Sequence, residues 1–246
     1  MAEDIIANEA PELEEPLSEE EALKQNLINL CENRSATYGF LSRLYRVEID
    51  QALLDTMHAT RYPAATGNPD ADEGYYLIAK SLSNLTPSAL TELAVDYSRT
   101  FIGNSNDMSG AAFPYESFYT SEKHLLMQAA RDEVLAIYRA YGYDKSETWA
   151  ESEDHAAVEL EFMQLMSHRV ANAVRKDRLD AAYKMLAVQQ GFLSEHMLTW
   201  IPMLTSDMQK FTKTMMYKGL ALLTIGFLET EREFLDDVLA DANKDE

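Results

Sequence analysis

The sequence predicts an all-α protein: a single helical-bundle-like domain of eight or nine helices with no sheet. Three observations carry this. Apolar residues recur at helical spacing over most of the chain, capping signals open several of these stretches, and no segment sustains the period-two alternation of a half-buried strand. At 246 residues, with apolar residues at 46% and charged residues at 26%, the chain can bury a sizeable core.

Residues 1–17 read as an acidic flexible tail broken by Pro11 and Pro16, and residues 18–246 as one all-helical domain. Ser18 to Glu21 form a capping box, followed by Leu23, Leu27, Leu30, Cys31, Leu41, Leu44 and Tyr45 on one helical stripe. Asp50 caps a short helix through His58. Residues 61–73 are a loop by composition, and a third helix covers 74–84. Thr86 followed by Pro87 opens a fourth helix, which runs to about Ile102. Residues 103–119 show no regular pattern. The next helix spans about 120–141 and ends at Gly142. Residues 143–152 are a linker. Ser152 caps a sixth helix to about Lys176, Asp177 starts a seventh that Pro202 ends near Trp200, and Ser206 opens the last, to about Ala240.

Composition removes several functions. With 42 acidic against 21 basic side chains, the net charge is -21, which disfavours nucleic acid and anionic membrane as partners and favours basic ones. The lone Cys31 excludes an internal disulfide and multi-cysteine metal sites, and fits a reducing cytoplasm. Nine acidic residues precede the first basic one, Lys24, so the start does not read as an export signal. The longest strongly apolar window, Gly219 to Leu228, is short of a membrane span. Neither common glycine-rich phosphate cradle nor the Gly-x-Ser-x-Gly nucleophile turn is present. None of the five histidines follows a glutamate by three positions, as a di-iron bundle requires. His155 and Glu159, four apart on one helix face, do not by themselves make a metal site. The expectation is a non-enzymatic protein with no cofactor of its own and no catalytic or metal-ligating residues.

Two stretches are more specific. The first is Asp96-Tyr97-Ser98-Arg99-Thr100-Phe101-Ile102-Gly103, followed after a polar loop by Phe113-Pro114-Tyr115-Glu116-Ser117-Phe118-Tyr119. The second runs from Glu151 through Asp154, His155 and Glu159 to Met163, with Phe192 to Pro202 further on. In this order and spacing, over about residues 28 to 235, they resemble the TorD/DmsD family of redox-enzyme maturation chaperones, which includes NarJ-like members. The family's Tyr-x-x-Leu-Phe-x-Gly motif falls on Tyr97, Phe101 and Gly103, with Thr100 in place of leucine. Its Glu-Pro-x-Asp-His motif falls on Glu151, Asp154 and His155, with Ser152 in place of proline.

The resemblance implies an all-helical cytoplasmic chaperone. Such a protein binds the twin-arginine signal peptide and apo form of a molybdenum enzyme of the dimethyl-sulfoxide-reductase type, and holds back export until the cofactor is inserted. It also admits a NarJ-like chaperone for a non-exported molybdoenzyme, a weak nucleotide-binding or hydrolysing all-α protein, and either a monomer or a domain-swapped dimer hinged at 143–152. The residues expected to contact peptide or client are Tyr97, Phe101, Gly103, Phe113, Pro114, Tyr115, Glu116, Glu151, Asp154, His155 and Glu159. Carboxylates at an exposed helix start suit arginine guanidinium groups, and Tyr97, Phe101, Phe113 and Tyr115 suit the apolar half of a peptide. All four also fit core and loop packing, and for Phe101 and Phe113 the two readings weigh equally.

Overall fold

The computed structural model describes residues 18–103, 110–146 and 148–242. The acidic stretch 1–17 and the middle of the 103–119 segment lie outside these residues. Among the described residues there is no strand. The described residues form nine continuous helical stretches, in keeping with the predicted class.

Helix α1 (Glu19–Arg46) opens with the Ser18 capping box, in which Ser18 and Glu21 exchange hydrogen bonds. It packs lengthwise on α7 (Ala156–Arg175), most of whose residues are buried. After α1, the short α2 (Gln51–Ala59) starts on the Asp50 cap. Helix α3 (Pro69–Ser83) begins earlier than composition indicated. Asn68 accepts from the N–H groups of Asp70 and Ala71, and Pro69 takes the first helical position, where its missing N–H costs nothing. Helix α3 lies against α10 (Met215–Ala242) at backbone contact, because Gly74 meets Gly219. A Cβ on Gly74 would come within 2.5 Å of the Leu223 nitrogen.

Helix α4 (Ala89–Tyr97) starts two residues beyond the expected Thr86–Pro87 opening. Thr86 instead bonds Ser88 and Glu92 in a preceding turn. It runs into a π-helical turn, Ser98–Ile102, which Gly103 ends at φ +64°. The segment expected to be irregular over 103–119 ends in a short helix, α5 (Glu116–Thr120), and the helix predicted over 120–141 is confined to α6 (Ala129–Ala140). Ser121 bonds the Leu125 N–H with its side chain, and His124 and Met127 adopt positive φ, so the backbone leaves the helix between them. Gly142, at φ +75°, follows α6 as expected.

Three further boundaries are corrected. Ser152 does not cap α7; the cap is His155, whose Nδ1 accepts from the Ala157 N–H at 3.0 Å, while Ser152 bonds Asp154. Asp177, at φ +53°, belongs to the turn before α8 (Leu179–Phe192). Pro202 does not end the following helix. Helix α8 passes through a π turn, Leu193–Met197, directly into α9 (Leu198–Phe211), and Pro202 sits inside α9. The proline cannot bond the Leu198 carbonyl, and the wider turn just before it absorbs the mismatch. Ser206 is therefore mid-helix and exposed. The last helix starts at Met215, where Asp96 of α4 takes the N–H groups of Lys213 and Thr214 and the hydroxyl of Thr212.

One hydrophobic cluster runs through α1, α3, α7, α8, α9 and α10, with Trp200, Tyr38, Tyr45 and Tyr217 fully buried. A buried ion pair crosses it. Arg34 of α1 grips Glu231 of α10 through Nε and Nη2, and Nη2 also reaches Gln189 of α8. The pair is hydrogen-bonded on several sides, the condition under which a buried charge pair is tolerated.

Candidate functional site

The backbone between α5 and α7 builds the site. Pro114 to Glu116 run antiparallel to Asp154 to Ala156. The Glu116 N–H donates to the Asp154 carbonyl and the Ala156 N–H to the Pro114 carbonyl, each at 2.9 Å. This short bridge brings the two resembling stretches, far apart in sequence, into one place.

Above the bridge lies a cavity of about 380 Å³. Six of the eleven expected residues line it: Tyr97, Phe101, Pro114, Tyr115, Glu151 and His155. Arg46, Val47 and Glu48 from the end of α1, together with Ile102 and Trp149, complete the wall. Tyr97 and Phe101 are nearly fully buried and form an aromatic cluster with Tyr45 and Tyr217. The Tyr97 hydroxyl donates to the Tyr45 carbonyl at 2.9 Å. They serve core and cavity floor together. The rim is more open. The Tyr115 hydroxyl donates to Glu151, its ring meets His155 edge-on at 5.0 Å, and Trp149 meets His155 edge-on from another side at the same distance.

The carboxylates on the rim differ in occupancy from those of the neighbouring 144–153 segment outside the cavity. Glu153 is held by Arg131 and Asp144 by Arg139. The Glu48 and Glu151 carboxylates are exposed and, among the described residues, form no ion pair, although Lys145 bonds the backbone carbonyl of Glu151. Glu48 is met only by a long contact from Ser98.

Five expected residues lie off the cavity. Gly103 ends the π turn, and Phe113 packs on Phe118 with ring centroids 5.0 Å apart. The other three, Glu116, Asp154 and Glu159, lie beneath the bridge. Asp154 is 0% exposed, so the expectation of a carboxylate at an exposed helix start does not hold. It accepts from the Ser117 N–H at 2.9 Å and from the hydroxyls of Ser117 and Ser152. His155 is buried too. Burial first, then the positive charges of Arg46 and Lys145, lower its pKa to about 3, so the ring is neutral and free to accept at the helix N-terminus.

Glu159, one turn into α7, is 0% exposed. Burial, followed by the nearby Glu116 and Asp154 carboxylates, raises its pKa well above the ordinary carboxylate range, against the opposing bond from the Trp200 indole N–H at 3.0 Å. It is held as a neutral acid. Glu116 in turn meets His196 Nδ1 at 3.2 Å. Burial would lower the His196 pKa, but the bond from Glu116 outweighs it and the net shift is upward. The negative charge of the neighbouring buried carboxyl groups thus adds to burial in favouring the protonated form of Glu159.

Arg46, Glu48, Trp149 and His196 were not singled out by sequence reasoning. Trp149 gave a usable signal, a large aromatic inside an otherwise polar linker next to Glu151. Arg46 and Glu48 gave none, since they read as the ordinary polar end of a helix. Among the described residues no group of three or more His, Cys, Asp or Glu side chains is placed to hold a metal ion, and no helix is long and apolar enough to cross a membrane.

Residues 68–206, more than half of the chain, match the family model of the nitrate reductase delta subunit. The chain belongs to this family, the TorD/NarJ type of redox-enzyme maturation protein, whose members are chaperones rather than catalysts. Among particular relatives, it is 25% identical over 227 residues to the chaperone protein TorD of Vibrio cholerae serotype O1, covering 90% of this chain and 100% of the relative. The TorD chaperone of Vibrio parahaemolyticus is 26% identical over 210 residues (83% and 95%), and that of a Psychrobacter species 24% over 213 residues (83% and 92%). A crystal structure described as a redox enzyme maturation protein from Archaeoglobus fulgidus aligns with a TM-score of 0.42 and 19% identity over 82% of this chain and 93% of that one.

Proposed function

We propose that this protein is a cytoplasmic, client-specific chaperone that binds the twin-arginine signal peptide and apo form of a dimethyl-sulfoxide-reductase-type molybdoenzyme. It assists cofactor insertion and holds back export until maturation, with no cofactor of its own. The observation that carries this reading is the pairing, in one cavity, of aromatic walls with two cation-free carboxylates, Glu48 and Glu151. Aromatic and proline surfaces take the apolar half of a leader, and the rim carboxylates take its guanidinium groups through charge-assisted bonds. The net charge of -21 adds long-range attraction for a basic leader. Asp154, His155, Glu159 and Glu116 act on the peptide indirectly, by holding the bridge that shapes the cavity.

Calorimetry with a twin-arginine leader and its Gln-Gln counterpart tests this. The Gln-Gln peptide is expected to bind at least about tenfold more weakly, since each charge-assisted bond nets roughly 1.5–3 kcal/mol. Equal affinities reject the reading. The match to a nitrate reductase delta subunit model supports a second reading, a NarJ-like chaperone whose client keeps only a remnant signal. Co-purification from the native cell separates the two by whether the captured client carries an intact leader.

A further inference from the structure

Arg46, the last residue of α1, lines the cavity but does not serve its helix end. That task falls to Arg43, which bonds the carbonyls of Val47 and Glu48 and the Asp50 carboxylate. The Arg46 guanidinium turns instead onto the face of Trp149, 4.9 Å from the ring centroid, and ion-pairs with Glu161 of α7. A flat π face beside a carboxylate is what a guanidinium, more than an ammonium, recognises: the planar cation stacks while its N–H fork bonds the acid. Both charged side chains remain partly open, Arg46 at 26% and Glu161 at 43% exposure, so the occupant can leave without opening the core.

We propose that the Trp149 face and the Glu161 carboxylate form a guanidinium subsite at the edge of the cavity. Arg46 fills it in the free protein, and an arginine side chain of the bound ligand displaces Arg46 from it. That the arginine comes from a leader peptide rests on the reading above; the subsite itself does not. Arg46 is thus a built-in competitor. It keeps the aromatic face covered when no ligand is present, and it raises the arginine content a ligand needs in order to dock.

The decisive variant is Arg46→Met, which keeps the aliphatic stem and removes the cation. Unchanged thermal unfolding confirms that it folds. Against a twin-arginine leader it is expected to bind about threefold to tenfold more tightly than the natural protein, because one partly exposed cation–π and ion-pair contact no longer competes. A Lys-Lys leader is expected to gain less than about twofold, since an ammonium lacks the planar fork. Adding Glu161→Gln to Arg46→Met is expected to cancel the gain. Arginine and lysine leaders gaining equally would reduce Arg46 to general electrostatic repulsion and overturn the proposal, as would no gain at all.

Failure of the peptide reading is read separately, with N-acetyl-arginine amide as probe and the Trp149 indole resonance as readout. The buried Trp200 indole, bonded to Glu159, is the internal control. If no leader binds either protein, a shift of the Trp149 signal in Arg46→Met, absent with N-acetyl-lysine amide, still supports the subsite. No shift overturns it.

Discussion

The cavity rim and the layer just beneath it are both rich in acids, yet they handle charge in opposite ways. On the rim, the Glu48 and Glu151 carboxylates are exposed and form no ion pair among the described residues, and Arg46 sits on Trp149 in a contact that can be exchanged. Beneath the bridge, Asp154, Glu159 and Glu116 are sealed; Asp154 is committed to Ser117 and Ser152, Glu116 to His196, and one Glu159 oxygen to Trp200. A carboxylate that has already accepted buried N–H and O–H groups has little left for a ligand. A carboxylate in water without a cation keeps most of its acceptor capacity, even where, as at Glu151, it takes one hydroxyl, but contributes little to stability. The resembling motifs therefore mark both kinds of residue: Asp154 and His155, which secure the fold, and Glu151, whose charge stays open on the rim beside the unmarked Glu48.

The sharpest way to break this comparison is Asp154→Ala. It leaves the buried Ser117 N–H and two hydroxyls without their acceptor, so a loss of about 3 kcal/mol or more is expected. For a chain of this length that lowers Tm by about 6–12 °C. A variant that melts like the natural protein yet binds peptide weakly would return Asp154 to the role of direct ligand.

His155 tests the same layer through pH. Its folded pKa, about 3, lies below the unfolded value of 6.5. The unfolded chain therefore takes up the proton first as pH falls. The stability this group contributes is present above pH 6.5 and drains away between there and about 3. His155→Asn keeps a side-chain acceptor for the Ala157 N–H and removes the titration. It should match the natural protein near neutrality and lose less stability on acidification, in urea titrations at pH 7, 6, 5 and 4. His155→Ala, without the cap, should cost about 1 kcal/mol even at pH 7. Parallel pH profiles for the natural protein and His155→Asn would show that the ring is accessible to protons.

What the sequence reveals divides along a physical line. Features decided within one turn were legible: the Ser18 box, the Asp50 cap and the Gly142 stop. Features decided by distant partners were not. Ser152 has the chemistry of a cap, but Asp154 takes its hydroxyl, and His155 caps α7 because burial keeps its ring neutral. Pro202 ends a helix in isolation but not after a π turn. The start of α10 is set by Asp96, more than a hundred residues upstream, which no local pattern announces. The same division runs through the site. Motif spacing brought Tyr97, Tyr115, Glu151 and His155 to one cavity, while Arg46, Glu48 and Trp149 joined it only through the packing of α1 on α7.

Glu159→Gln sharpens the comparison from the basic side. Its folded pKa is raised, so the unfolded chain releases its proton first as pH rises from 4.5. The stability associated with the proton is full below 4.5 and is lost as pH climbs through the raised folded value. Glutamine is neutral throughout. Its carbonyl can still accept from the Trp200 indole and its amide can donate toward Glu116. The variant should be more stable than the natural protein at pH 8, by about 1 kcal/mol, and indistinguishable from it near pH 4.5. Denaturant midpoints at the two pH values check this, and a variant less stable at pH 8 would mean that the ionised form of Glu159 is the one the core accommodates.

The smallest effect on the fold is expected on the rim. Glu48→Gln and Glu151→Gln remove charge without removing shape, and neither carboxylate is ion-paired among the described residues, so unfolding should shift by less than about 0.5 kcal/mol. The consequence should appear in binding. Each variant is expected to weaken a twin-arginine leader by about threefold to tenfold, with the double variant roughly multiplying the two if each acid meets a different arginine. Salt separates the contributions. Steering by the whole acidic surface acts on the association rate and is screened beyond about 8 Å at physiological ionic strength, whereas contact pairs at the rim act on dissociation and are screened less. The natural protein and both variants should therefore show the same steep fall of association rate with salt, because removing one charge from an excess of -21 barely alters the far field, while the variants alone release peptide faster. Stopped-flow measurements across a salt series check both limbs. If the variants change only the association rate, Glu48 and Glu151 belong to the general field of the protein, and the distinction between an open binding rim and a sealed structural layer fails at its outer half.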